Sequence, residues 1–423
     1  MKTLIISHNP LTTYESMGKT LSGLFYSFST EELCQLYIYP TIPNNDKCHS
    51  FFRITDKEVL HSFFFKRIKG KVVSPVINNF ELYENFKDKQ FYTNKRSQGL
   101  FRLFVRDLMW KFSFWFSREL KIWIEKEKPD IIFLAAGMSK FIYDICFKIC
   151  KKYKLKVVSY ICDDYYFSPK NMTLLSRTYY KYLKKKIDKL MTCSSCVIFI
   201  CQEMEKKYSQ FFNLKNHFTI MTPYTKLSCE NVVQTKIKEF NYFGNIRLGR
   251  YQCLYEIGVN LEKYNRINKT NIKLNIYSPE TDSQILSLFN KVDSIVFKGF
   301  VTGDEYEEAY NKTQCFVHCE SFENEYKNLT RFSISTKIPD VLSSGKPLLM
   351  YGPSNIACTS YLNENNAAFL CMNKEDLFDK ISQLVSGKAP VKIIVKNAIR
   401  TARINHSLEY NSLKLKNIIT NCV

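Results

Sequence analysis

The chain has 423 residues, 61 Lys and Arg against 40 Asp and Glu, a formal net charge of +21 and 45% hydrophobic residues. Its length exceeds one typical domain and predicts two of about 200 residues each, with apolar content ample for packed cores. The charge calls for an anionic counterpart: nucleic acid, an anionic membrane surface or a phosphorylated substrate.

No run of 18 apolar residues occurs, so no spanning helix is expected. The N-terminus, MKTLIISHNP, has too short an apolar core for a signal peptide. Fifteen cysteines without a secretory signal predict reduced thiols. Cys193 and Cys196 form a CxxC with Cys201 nearby, but no second pair or His set completes a zinc site. No metal is expected, and the cysteines read as small buried hydrophobes.

In chain order, residues 2–8 read as a buried parallel strand, His8-Asn9-Pro10 as a turn, and Tyr14 to Phe28 as a helix with Gly18 and Lys19 near its start. This is the strand–loop–helix of a Rossmann-like half, though neither a G-x-G-x-x-G nor a P-loop. His8 reads as a strand-end histidine bonded to backbone. Residues 32–40 form a second strand, and 41–98 show no regular pattern, carrying His49, Arg53 and the basic-aromatic HSFFFKRIKGK. Leu100 to Glu125 reads as one long helix. Arg102, Arg106, Ser113, Ser117 and Lys121 share one side; Phe101, Val105, Leu108, Phe112, Trp115 and Phe116 take another. It is a core helix, or an interfacial one, since Arg and Lys beside Phe and Trp suit a headgroup boundary.

A strand at 127–137 and a helix at 138–153 follow, then the strand KVVSYICDDYY ending in Asp163 and Asp164. Ligands of open α/β sheets gather at carboxyl ends of strands, so one acid reads as a cap and Asp163, before Asp164, as facing a ligand. Residues 171–190 form a basic helix with Lys184, Lys185 and Lys186; a solvated face is one reading, membrane or nucleic-acid contact the others. A strand and helix at 195–208 and a strand at 217–224 lead into a polar crossing at 225–237.

The second half restarts at 238–258: a strand ending at Gly244, a loop with Arg247 and Arg250, then a helix. Arginine suits a diphosphate because its fork places two hydrogen bonds on one phosphate. Strands at 272–279 and 294–301 alternate with helices, and 314–327 reads as a strand followed by an acidic loop. In SISTKIPDVLSSGKPLLMYGP (333–353), Ser335 and Thr336 read as caps of a helix starting around Pro339 and Asp340. Gly345 reads as its C-cap. The helix N-terminus is a ready anion site, with Asp340 able to accept from a ribose. A helix and strand follow at 354–371, and 392–418 reads as a basic helix.

The acid, small and apolar residues, Gly, one residue and Pro of Asp340, Gly345 and Pro347 resemble the donor-binding segment of family-4, GT-B-type glycosyltransferases. With S-T-K-I-P ahead and Y-G-P behind, it is similar to the bacterial surface-polysaccharide type in particular. Gly244 and, six residues on, Arg250 fit the family's C-terminal strand–loop; Asn245 stands where an Arg is common, and Arg247 would compensate. Asp340 stands where the family usually has Glu.

The resemblance implies an α/β GT-B fold: two Rossmann-like domains facing across a cleft. They would be an acceptor domain at 1–230, a nucleotide-sugar domain at 238–395, and a last helix at 396–423 crossing back. It implies transfer of a sugar from a nucleotide-sugar to a carbohydrate, lipid-linked acceptor, with retention and without a metal or cofactor. Gly18 would lie near the donor or the acceptor, and Gly299, Phe300 and Val301 would hold the base through backbone groups. Arg250 and Lys337 would neutralise the diphosphate, Asp340 hold the ribose, and Asp163 sit near the reacting hydroxyl. The family's first Glu precedes the later acid by a fixed gap, but Phe332 occupies that place here; Glu323, or else Glu320, takes the donor-sugar role.

The expected setting is cytoplasmic, peripheral on an anionic inner membrane surface. Lys66, Arg67, Lys69, Arg102, Arg106 and Lys184 to Lys186 would supply charge, and Phe63, Phe64, Phe65 and Trp115 the wedges. The rival readings are an epimerase or phosphorylase on the same fold, and a basic nucleic-acid-binding or membrane scaffold protein. No RNP, zinc-finger or helix-turn-helix signature supports nucleic acid.

Overall fold

A computed structural model describes all residues except 14–15, 66–69, 77–98, 168–172 and 226–236. Lys66, Arg67, Lys69 and nearly all of the polar crossing therefore lie outside the described residues, as do the side chains of Phe64 and Phe65. The chain divides into two units: Met1–Pro223 with Leu408–Val423, and Tyr224–Ser407.

The first unit is built on β1 (Thr3–Ser7), α1 (Ser16–Leu24), β2 (Leu33–Tyr37), β3 (Ser50–Arg53), α2 (Asp56–Phe65) and β4 (Lys71–Val73). It continues with α3 (Leu100–Phe112), α4 (Arg118–Glu127), β5 (Ile131–Ala135), α5 (Lys140–Tyr153), β6 (Lys156–Ile161), α6 (Leu174–Cys193), β7 (Cys196–Phe199), α7 (Gln202–Phe212) and β8 (His217–Thr219). The strands lie in the order β4-β3-β2-β1-β5-β6-β7-β8, all parallel except β4 against β3. β1, β2 and β5 are buried along their whole length, as apolar strands covered on both faces must be.

Two expectations are corrected here. The stretch 41–98, patternless in sequence, holds β3, α2 and β4; each is short, and their cues are diluted by the intervening loops. The helix expected from Leu100 to Glu125 is two helices. Ser117 interrupts it, accepting a hydrogen bond from Leu120 N at 3.2 Å, so a capping side chain starts α4 afresh.

The second unit holds β9 (Glu239–Phe243), α8 (Arg250–Asn268), β10 (Lys273–Tyr277), α9 (Ser283–Phe289), β11 (Ile295–Gly299), α10 (Gly303–Lys312) and β12 (Cys315–Cys319). After these come α11 (Asn324–Thr330), α12 (Ile338–Ser343), β13 (Leu348–Tyr351), α13 (Ala357–Glu364), β14 (Phe369–Cys371), α14 (Leu377–Val385) and α15 (Val391–Asn405). Its sheet is wholly parallel, in the order β11-β10-β9-β12-β13-β14. The basic helix expected at 392–418 is also two. α15 packs on α12 in this unit, and α16 (Leu408–Cys422) belongs to the first. There Ser412 Oγ accepts from Ser27 N at 2.7 Å, and Asn411 donates to Met221 O at 3.0 Å.

In each sheet the strand order reverses once, between β1 and β5 and between β9 and β12. At such a switch point the loops leave in opposite directions and open a crevice beyond the strand ends. Residues following β1, β5, β9 and β12 are therefore the ones placed to meet ligands.

Candidate functional site

In the second unit the loop after β9 begins at Gly244, whose φ is +139°, and a Cβ added there would lie 2.5 Å from Lys337 Nζ. The absent side chain is what lets Lys337 cross the strand end. Gly249, with φ +73°, caps α8 and brings Arg250 onto its first turn; a Cβ there would collide with Ser321.

Arg250 donates through Nη2 to Glu320 Oε1 at 2.7 Å and through Nε to Oε2 at 3.2 Å. Glu320, the first residue after β12, is buried. Among the described residues, Arg250 Nη1 donates to no protein group, which leaves one prong of the fork for a ligand. His318 Nε2 approaches Glu320 Oε1 at 3.2 Å without hydrogen-bond alignment. Burial holds the His318 pKa below the ordinary imidazole value. Burial alone would raise that of Glu320, but His318 and the Arg250 guanidinium prevail and keep it below the usual carboxylate range. At neutral pH the cluster is thus a neutral imidazole, a carboxylate and a guanidinium.

Other residues of the second unit fall out differently from expectation. Glu323 is exposed and stands at the N-cap of α11 without a side-chain cap bond, whereas Glu320 is buried against Arg250. Arg247 is held by Glu280, at 2.9 and 3.2 Å, so its fork is already on a carboxylate. Asp340 Oδ1 accepts from Thr225 N and Oγ1, both at 2.8 Å. Ser335 and Thr336 do not cap α12: Lys337 is its N-cap, in helical conformation, because the preceding turn already bonds Ile338 N to Ser335 O. Gly345 takes φ +74° just beyond α12. Gly299 has φ +76° with open space where a Cβ would stand, Phe300 is exposed and Val301 half-buried.

Sequence reading missed an aromatic pocket. Phe243, at the end of β9, stacks on Tyr277, at the end of β10, with centroids 4.6 Å apart. With Tyr306, Tyr310, Phe316, Lys337, Asp340 and Val341, Phe243 lines a recess. The signal was available: Phe243 and Tyr277 end neighbouring strands, and Tyr306 and Tyr310 stand one turn apart on α10, but each counts as a core residue in isolation.

In the first unit, Asp164 is a structural acceptor, taking bonds from Tyr166 N (3.0 Å), Phe167 N (2.8 Å) and the Tyr208 hydroxyl (2.8 Å). Asp163 is half-buried and accepts from the Tyr165 hydroxyl at 3.0 Å. Gly18 sits under the loop after β1, where a Cβ would meet Thr12 and the Pro10 carbonyl. Among the described residues, the His8 carbonyl accepts from Ile38 N at 3.2 Å and Tyr39 N at 2.9 Å. Its ring lies edge-on to Phe141, and its buried Nδ1 has no hydrogen-bond partner among the described residues. Burial, with Arg106 nearby, lowers its pKa to about 3, so the ring is neutral. A cluster not anticipated from sequence surrounds it: Arg106 Nε donates to both Asp56 oxygens at 2.9 Å, and Trp110 Nε1 to Asp56 at 2.7 Å.

The described cysteines are free thiols, and among the described residues no group of three or more His, Cys, Asp or Glu is placed to hold a metal ion. Among them, no helix is long and apolar enough to cross a membrane.

No protein-family model matches the chain, and no curated protein matches it. Solved structures do. HepE of Anabaena, crystallised with UDP, superposes with a TM-score of 0.61 at 10% identity over 100% of both chains. Sucrose-phosphate synthase from Thermosynechococcus elongatus gives 0.62 at 10% identity over 99% of this chain and 98% of its own. A point mutant of S. aureus TarM, crystallised with fondaparinux, alpha-GlcNAc-glycerol and UDP, gives 0.59 at 14% identity over 99% of each. These neighbours are GT-B glycosyltransferases, and this chain, with its two Rossmann-like parallel sheets, has the GT-B fold.

Proposed function

We propose that the protein is a glycosyltransferase moving a sugar from a nucleotide-sugar to a carbohydrate acceptor, lipid-linked, in surface-polysaccharide assembly, with retention of configuration. The carrying observation is Arg250, anchored by buried Glu320 at the β9/β12 switch point with Nη1 unspent, in the unit where Lys337 crosses Gly244. Two cations of this kind suit a departing diphosphate, and in place of a metal ion they would stabilise its charge. HepE has been crystallised with UDP-glucose, which favours a UDP-sugar as donor.

In this reading Arg250 and Lys337 bind the diphosphate, and Glu320 is a positioning residue that aims Arg250. Exposed Glu323 stays the candidate for the donor sugar. Asp340 meets the ribose after exchanging Thr225 for it, and the backbone at Gly299, Phe300 and Val301 holds the base, with Phe243 and Tyr277 beside it as an aromatic wall. Gly18 and Asp163 belong to the acceptor side. The enzyme works in the cytoplasm, peripheral on an anionic membrane.

A thermal-shift panel of nucleoside diphosphates and nucleotide-sugars tests the reading. A ligand at about a hundred times its Kd stabilises the folded state by about 2.7 kcal/mol. UDP and a UDP-sugar should raise the melting temperature by several degrees, more than the other bases. No shift with any nucleotide would remove the donor site. Turnover without an acceptor, or with phosphate, would point instead to an epimerase or phosphorylase.

A further inference from the structure

Helix α3 is built inside out. Its inward face carries Arg106, Asp107 and Trp110, tied down by polar bonds. Arg106 and Trp110 bind Asp56, while Asp107 accepts from the Tyr179 hydroxyl at 2.7 Å and Phe141 N at 3.2 Å. Its outward ridge, at i, i+4, i+7 and i+11, is Phe101, Val105, Leu108 and Phe112, exposed by 64, 38, 44 and 61%. The anchors prevent the helix from rolling this ridge inward, because Asp56 and the Tyr179 hydroxyl, both buried, would then be left without their partners.

The neighbouring helix supplies charge. Lys140 lies 5.2 Å over the ring of Phe104 on α3 and 5.7 Å over that of Tyr182 on α6, so the two helices adjoin. On α6 a ridge of Arg177, Lys181, Lys185 and Lys189 recurs every fourth residue, all exposed, with Leu174 and Leu175 exposed at its start. On α3, Arg102 and Lys111 flank the apolar ridge. The acid of α3, Asp107, is buried, and that of α6, Asp188, is half-buried.

We propose that this α3–α6 face docks the protein on an anionic lipid bilayer, α3 sinking its ridge to the headgroup–acyl boundary while the α6 cations meet lipid headgroups. It rests on the transferase reading above and names the surface that reading leaves open. Both halves of the face fit that one occupant. Nucleic acid would use the cations and could stack on Phe101 and Phe112, but Val105 and Leu108 between them offer no base a stacking face; a second copy would set like charges together. Trp115, expected as a wedge, is buried, and Arg106, expected as a lipid contact, is spent on Asp56.

Co-sedimentation with vesicles of phosphatidylglycerol and phosphatidylcholine, against phosphatidylcholine alone, tests this with the full chain. Binding should require phosphatidylglycerol and fall at least about tenfold as salt is raised. A Phe101→Ser/Leu108→Ser/Phe112→Ser variant should lose about a hundredfold in partitioning, and so should Arg177→Gln/Lys181→Gln/Lys185→Gln. Each variant should keep the nucleotide-dependent thermal shift of the parent, which shows it folded and reads the donor site separately from docking. The proposal is overturned by no binding at low salt, by equal binding to neutral vesicles, or by variants that bind like the parent. A dimer abolished by the serine variant, or RNA binding that the ridge variant weakens, would also overturn it.

Discussion

Each unit contains a buried arginine–carboxylate pair close to its switch point, and the two are differently spent. Arg106 gives Nε to both oxygens of Asp56 and Nη1 to Ser139, while its guanidinium lies 4.8 Å over Phe141 and 5.8 Å over Tyr39. Asp56 takes a further bond from Trp110. Arg250 has one carboxylate, a neutral imidazole beside that carboxylate, and an uncommitted prong. The first pair is a clamp for α3; the second, in the proposed function, is a poised ligand. An arginine–carboxylate pair can serve structure or chemistry according to how many of its hydrogen bonds the fold has already used.

The largest effect should come from breaking the clamp. Asp56→Ala leaves Arg106 and Trp110 without their acceptor, and removing one partner of a buried pair costs about 3–5 kcal/mol. Denaturant unfolding measures it; a loss below about 1 kcal/mol would mean the pair is no clamp. Next comes the poised ligand. Arg250→Ala and Lys337→Ala should each lower turnover about a hundredfold, near 3 kcal/mol of transition-state stabilisation. Rates close to the parent's in both would place the diphosphate elsewhere.

A finer cut separates the two glutamates. Glu320→Gln keeps the size but removes the charge that aims Arg250, and should cost about tenfold in kcat, near 1.4 kcal/mol. Glu323→Gln should raise KM for the donor sugar instead. If Glu323→Gln proves crippling and Glu320→Gln silent, the positioning role fails.

Acid should also distinguish groups by sign. The folded pKa of His8 is depressed to about 3 from 6.5, so the unfolded chain binds its proton first. Stability should fall as pH drops below about 6.5, by up to about 1.4 kcal/mol per pH unit, and His8→Asn should flatten the slope. His318, lowered for the same reason of burial, should act in the same direction. Glu320, also depressed, contributes stability that is complete above 4.5 and is lost only as pH falls toward its folded pKa. The smallest effect is local: Gly299→Ala, at φ +76° with nothing for the methyl to strike, should cost about 1 kcal/mol, read in the melting temperature.

Much of the fold was legible. Apolar strands such as residues 2–8 and 156–161 alternate with helices, and this pattern permits little but a parallel sheet. Gly244 and Gly345 could be picked out as left-handed positions and Asp340 as a first-turn acid, because left-handed backbone and a helix start each demand a narrow set of residues; the diphosphate role of Arg250 belongs to the proposed function. That Glu320 rather than Glu323 pairs with Arg250 was not legible, since the partner stands 70 positions earlier in the chain.

What the sequence determined by itself was the alternation of strands and helices outside 41–98, because periodicity and capping are local; it did not show β3, α2 and β4 or the breaks that divide 100–125 and 392–418 into two helices each. What only the tertiary structure decided was direction. The Leu100–Phe112 segment has an apolar and a polar side in sequence, and that pattern predicts the apolar side inward. Asp56, Tyr179 and the Phe141 N–H, each distant in the chain, bind the polar side instead and turn the apolar side to the surface. A helical period fixes which residues share a face, but the partners that fold against it choose which face is buried.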